Sequence, residues 1–183
     1  KFCWIDPYAD PDQYCATMSY LEGRFPQTLL VYMTIPLTTE TAGSENDDRN
    51  NFNRAVRAFC RSQGRWLLDV ADLEAWTTAG AQQTYVTGGV TNQRMYSSYA
   101  VDAGGGDFHL NSSGRRQVAL GWYALAGALF ATDRDSDGLS DGDELLAGTC
   151  PTNALDVLSA SCGDVGQAGR MGLRWQMETG RVY

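Results

Sequence analysis

Twelve residues, "DRDSDGLSDGDE" (133 to 144), restrict the shape of this chain more than any other stretch. Asp133, Asp135 and Asp137 stand at positions one, three and five, Gly138 at six, Leu139 at seven, Asp141 at nine and Glu144 at twelve. That is the pattern D-x-[DN]-x-[DN]-G-x5-E, in which glycine allows a sharp turn, position seven offers its carbonyl and the final glutamate binds through both oxygens. Six carboxylates so close together, five of them at positions of the pattern, repel one another unless a hard cation draws them in. The stretch therefore predicts one bound Ca2+, with Asp133, Asp135, Asp137, Leu139, Asp141 and Glu144 as its ligands. A merely solvated acidic turn has no need of glycine at six and glutamate at twelve together.

Ahead of this loop the pattern is that of an α/β domain. "KFCWI" (1 to 5) reads as a short buried strand stopped by Asp6-Pro7. Tyr14, Met18 and Leu21 recur at helical spacing before Pro26, and "TLLVYMTIP" (28 to 36) is the strongest strand signal, apolar and β-rich up to Pro36. Phe52, Val56, Phe59 and Cys60 then mark one face of a helix that ends at Gly64, and "RWLLDVADLEAW" reads as a strand running into a helical turn. Strand, helix, strand, helix, strand implies a parallel sheet with right-handed crossovers. Residues 77 to 108 read as a long Gly/Thr/Gln-rich loop, of the kind that carries binding or catalysis at the end of such a sheet. A helix from "SSGRRQVALGWYALAGALF" follows, capped by Asn111 or a following serine, with Val118, Trp122, Leu125 and Leu129 on one stripe.

Charge and cysteine content narrow the partners. The net charge of -8 disfavours nucleic acid and anionic lipid, and no unbroken apolar run is long enough to insert into a membrane. The five cysteines match no zinc pattern. Cys150 and Cys162 bracket a short Pro/Asn/Asp-rich loop and are predicted to pair, which with the acidic composition points to an extracellular protein.

Two resemblances join these readings. "DSDGLSDGDELLAGTCPTN" resembles the thrombospondin type 3 and dockerin-like repeats of secreted bacterial proteins, which implies a structural ion. Cys150 stands where those repeats usually carry aspartate. "YMTIPLT", "RNNFNRAVRAFC", "LLDVADLEAW" and "HLNSSGRRQVALGWYALAGAL" resemble the later part of SGNH/GDSL-type hydrolases over residues 1 to about 130. That resemblance implies a flavodoxin-like three-layer α/β/α sandwich and ester cleavage by a Ser-His-Asp triad. His109, the one histidine in the chain, matches the family histidine by position. The family acid lies three residues earlier, where this chain has Gly106, so Asp107 or Asp102 is left to orient the ring, and neither a G-D-S block nor a G-x-N-D motif is present.

The expected architecture is thus an incomplete flavodoxin-like sandwich with a parallel sheet (1–131), a calcium-binding loop module (132–162) and a C-terminal strand or β-hairpin (163–183) that would open a β-sandwich module. In that hairpin Met171, Leu173, Trp175 and Met177 alternate before a turn near Thr179-Gly180. Lacking the first two strands of the family it resembles, the sheet is expected to need a missing N-terminal segment, a cleaved companion chain or another copy to cover its edge. Two functions follow: part of a secreted SGNH-like esterase whose serine lies elsewhere, or a non-catalytic, calcium-stiffened extracellular protein that assembles into an oligomer or filament. A polysaccharide ligand, gripped by exposed Tyr85, Tyr96 and Tyr99, is a third expectation.

Overall fold

The computed structural model describes residues 9–26, 28–41, 44–102, 109–156, 160–165 and 170–175, the last two segments as backbone. It is a mixed α/β structure of helices and short strands. Residues 1–23 and 30–125 form one unit, and 24–29 with 126–183 form a second.

The first unit is built on one β-α-β crossover. Helix α1 (Pro11–Arg24) starts with proline in its first turn, and Asp10 caps it by accepting the N–H of Asp12 at 2.9 Å. Strand β1 (Tyr32–Met33) is followed by helix α2 (Ser44–Gln63), which ends at Gly64 in the left-handed conformation (φ +61°). Strand β2 (Leu67–Leu68) then pairs parallel to β1, Tyr32 opposite Leu67 and Met33 opposite Leu68. Helix α3 (Val70–Ala75) follows at once, capped by Asp69. The parallel order holds, but among the described residues this sheet has two strands, and "KFCWI" lies outside them. Tyr32, Ile35, Phe52, Val56, Cys15 and Cys60 form one core between α1, α2 and β1. Leu37, Ala71, Ala75, Met95, Tyr99 and Ala100 form another against α3.

The strand expected over 28 to 36 stops at Met33 because its continuation bonds to side chains. Pro36 has no N–H to give to a ladder. Asn53 takes the place of a neighbouring strand: its Oδ1 accepts the N–H of Ile35 at 2.8 Å and its Nδ2 donates to the carbonyl of Ile35 at 3.0 Å. Asn46 accepts the N–H of Thr38 (3.0 Å), Arg49 donates to the Pro36 carbonyl (2.9 Å), and Glu74 of α3 accepts the N–H of Leu37 (2.8 Å). Helix α2 therefore buries two faces, the expected apolar one and a polar one of Asn46, Arg49, Asn50 and Asn53.

The long loop expected over 77 to 108 is in part a hairpin. Strands β3 (Thr84–Thr87) and β4 (Val90–Gln93) pair antiparallel, closed by Gly88 and Gly89 at φ +57° and +79°. Two consecutive positive φ angles match the twist of a tight hairpin, and glycine adopts them without strain. The tyrosines expected to stand exposed and grip a ligand do not do so. Tyr85 and Tyr99 are buried, Tyr85 giving its hydroxyl to Asp47 at 2.6 Å, and Tyr96 packs half-buried against Tyr99. Long amphipathic rings in a Gly-rich segment supplied the core that the segment otherwise lacks.

Helix α4 (Ser112–Ala131) is capped by Asn111, whose Oδ1 accepts the N–H groups of Ser113 and Gly114 at 2.9 and 3.1 Å. A Cβ on Gly114 would stand 2.8 Å from the Tyr99 carbonyl, so the helix approaches the second core only because that position has no side chain.

In the second unit, helix α5 (Asp141–Ala147) is capped by Ser140 and ended by Gly148 at φ +75°. Strands β5 (Ala160–Val165) and β6 (Arg170–Trp175) form a hairpin with Ala160 opposite Trp175 and Val165 opposite Arg170. The Met171–Trp175 stretch thus pairs with β5 as the second strand of a hairpin, and the turn expected at Thr179-Gly180 lies outside the described residues. The Cys150–Cys162 disulfide is also corrected. Cys150 is a buried free thiol that donates to the Pro26 carbonyl at 3.1 Å and lies 3.4 Å from the Thr152 hydroxyl. The main chain turns at Cys150, whose carbonyl accepts the N–H groups of Thr152 and Asn153, and this turn points the thiol to Pro26.

Candidate functional site

The acidic loop between α4 and α5 is shaped from within. Asp133 accepts the N–H of Ser136 at 2.7 Å through one oxygen and that of Gly138 at 3.0 Å through the other. Asp135 accepts the N–H of Asp137 (3.3 Å), and Asp137 that of Leu139 (2.9 Å). Ser136 at φ +63° and Gly138 at φ +100° close the curve, the second in a region that disfavours any side chain. One carboxylate oxygen from each of Asp133, Asp135 and Asp137 lies within 4.8 Å of the others. These three residues could hold a metal ion.

Glu144 adds a fourth acid, placed by α5 one turn past its Ser140 cap. It is wholly buried, and neither carboxylate oxygen has a hydrogen-bond partner; Asp135 Oδ2 and Asp137 Oδ2 are buried and unpartnered as well. Burial, and then the charges of Asp135, Asp137, Asp141 and Asp133, push the Glu144 carboxyl from its usual range up to about 7. Asp135, Asp137 and Glu144 thus keep four buried carboxylate oxygens that meet no hydrogen-bond donor. Asp141 is placed differently: its oxygens accept Arg134 Nε at 2.6 Å and the Arg134 N–H at 3.0 Å.

Comparison with protein-family models, characterised proteins and solved structures gives no match.

The histidine loop lies in the first unit. Residues 99–101 and 109–111 run side by side: Ala100 bridges Leu110, the N–H of Val101 donates to the His109 carbonyl at 2.9 Å, and that of Asn111 to the Tyr99 carbonyl at 2.8 Å. Asn111 also donates from Nδ2 to the carbonyls of Ser98 and Ala100, both at 2.9 Å. This clamp brings Asp102, the residue after Val101, to the mouth of the same loop as His109, with both side chains exposed. Asp107 lies outside the described residues.

Sequence reasoning missed Glu74. Its Oε2 holds the N–H of Leu37, its Oε1 is buried without a partner, and burial pushes its carboxyl up to about 8 although the Leu37 bond and the Arg49 charge act to lower it. The only trace in the sequence is an acid at a core-facing position of a short helix, "VADLEA".

Proposed function

We propose that residues 133–144 bind one Ca2+ as a structural ion of an extracellular protein. The observation that carries this reading is Glu144, a fully buried carboxylate with both oxygens unpartnered beside three more acids. Such a group costs several kcal/mol unless something positive offsets it, on the order of the penalty for an unpaired buried charge. Asp133, Asp135, Asp137 and Glu144, with the Leu139 carbonyl, would hold the ion, and a many-oxygen, irregular donor set favours calcium over magnesium, which demands a near-ideal octahedron. When bound, the ion supplies the positive charge that lets these groups stay ionised. The chain's own part is to fix α5 against the loop through the Ser140 cap and the Asp141–Arg134 pair. Calorimetric titration of the chelator-stripped protein with CaCl2 is expected to show one saturable site and a raised melting temperature. An absence of binding heat, or equal binding by Glu144→Gln, overturns the reading.

A second reading concerns the first unit. We infer an SGNH-like ester hydrolase scaffold of the flavodoxin-like type, with His109 as general base and Asp102 as the group that orients it. The support is the β-α-β crossover and the clamp that carries Asp102 and His109 into one loop mouth. No G-D-S block occurs in residues 1–183, so ester cleavage requires a hydroxyl nucleophile to be presented to His109 from elsewhere. In a preparation that carries such a nucleophile, release of p-nitrophenol from p-nitrophenyl acetate, together with labelling of that hydroxyl by a fluorophosphonate, is expected to fall in His109→Ala. Equal rates and labelling in both proteins would remove this reading.

A further inference from the structure

Four acids of the loop have oxygens buried in contrasting ways. Asp135, Asp137 and Glu144 keep buried oxygens that meet no donor, whereas Asp141, also wholly buried, has both oxygens engaged by Arg134, the one basic residue in the twelve. Arg134 is about one quarter exposed and its Nε lies 2.6 Å from Asp141 Oδ2. A guanidinium so seated cancels one negative charge at the edge of the cluster and ties up the side chain that the loop pattern assigns to position nine.

We propose that Arg134 holds Asp141 out of the coordination shell, so that the bound cation carries a water at position nine and is held more weakly than five free carboxylates would hold it. The proposal rests on the reading of residues 133–144 as a cation site. Two physical terms act in the same direction. Arg134 places a positive charge beside the ion, and Asp141 cannot turn to the ion without leaving a 2.6 Å ion pair. Asp141 is in this account a positioning residue, fastening the first turn of α5 to the start of the loop through Arg134.

Tb3+ tests this, because its luminescence lifetimes in H2O and D2O count the waters bound to it. Arg134→Gln is expected to bind Ca2+ roughly tenfold more tightly, the scale of a partly exposed charge pair, and to carry about one fewer water on Tb3+ than the wild-type protein. Adding Asp141→Asn to that variant is expected to restore the wild-type water count and remove the gain in affinity. Arg134→Met, which keeps the apolar stem, repeats the measurement if the glutamine variant fails to fold. Unchanged hydration and unchanged or weaker binding in both Arg134 variants would overturn the proposal while leaving the cation site standing. A wild-type protein that binds neither Tb3+ nor Ca2+ would overturn both.

Discussion

Glu74→Gln is the substitution whose effect follows most directly from the structure. The carboxyl is buried and pushed up to about 8, against 4.5 in the unfolded chain, and its Oε1 has no partner. A raised carboxyl pKa means that the folded state holds the proton more tightly. Its contribution is therefore harmless below pH 4.5 and becomes increasingly destabilising as pH rises toward 8. Integrated between pH 5 and pH 9, these two values correspond to about 4 kcal/mol, using 1.36 kcal/mol per unit. Glutamine cannot ionise; it keeps an oxygen for the Leu37 N–H but places an NH2 where Oε1 found no partner, at a cost of about 1–2 kcal/mol. The variant is expected to be less stable than wild type near pH 5 and more stable near pH 9. Urea unfolding of both proteins across that range, in excess CaCl2, gives a difference in which every other titrating group cancels. A difference that stays flat from pH 5 to pH 9 would refute the argument.

Three further outcomes are expected. Asn53→Ala removes both hydrogen bonds to Ile35 and leaves its buried N–H and C=O without partners, so urea unfolding should show a loss of roughly 2–4 kcal/mol; a loss below about 1 would mean that water takes over the asparagine's role. Gly138→Ala places a side chain at φ +100° and should weaken Ca2+ binding in calorimetry by roughly tenfold. Alkylation of the unreduced, denatured protein followed by peptide mass mapping should find Cys150 modified, and a Cys150–Cys162 linked peptide would contradict its free thiol on Pro26.

What could be read in advance was whatever repeats locally. The loop pattern placed Asp133, Asp135, Asp137 and Glu144 together because its spacing encodes the turn itself, and Gly138 has the positive φ that the pattern requires. Helices α1, α2 and α4 followed their apolar periodicity, and Asn111 proved to be the cap. Asp141 was not legible in the same way, since its partner at position two of the loop is no part of the motif. The β3–β4 hairpin had a signal, Thr- and Val-rich arms about a Gly-Gly pair, which the glycines and glutamines around it diluted. The polar face of α2 was hidden for a deeper reason. Hydrophobic patterning treats Asn46, Arg49, Asn50 and Asn53 as solvent-facing, and only the tertiary neighbours of a strand with too few partners reveal them as buried.

That arrangement changes which insertions the chain can accept. A segment paired in a sheet takes its alignment from a neighbour with a two-residue repeat, whereas residues 35–40 take theirs from a helix that turns by about 100° per residue. One extra residue in α2 between Asn46 and Asn53 would turn Asn46 by about 100° away from the segment while the apolar contacts of Val56 and Cys60 stayed in place. Thr38 and Glu40 would then lose their bonds to Asn46 while Val56 and Cys60 kept their places in the hydrophobic core. In this unit the spacing of asparagines is as strict a requirement as the spacing of leucines is elsewhere.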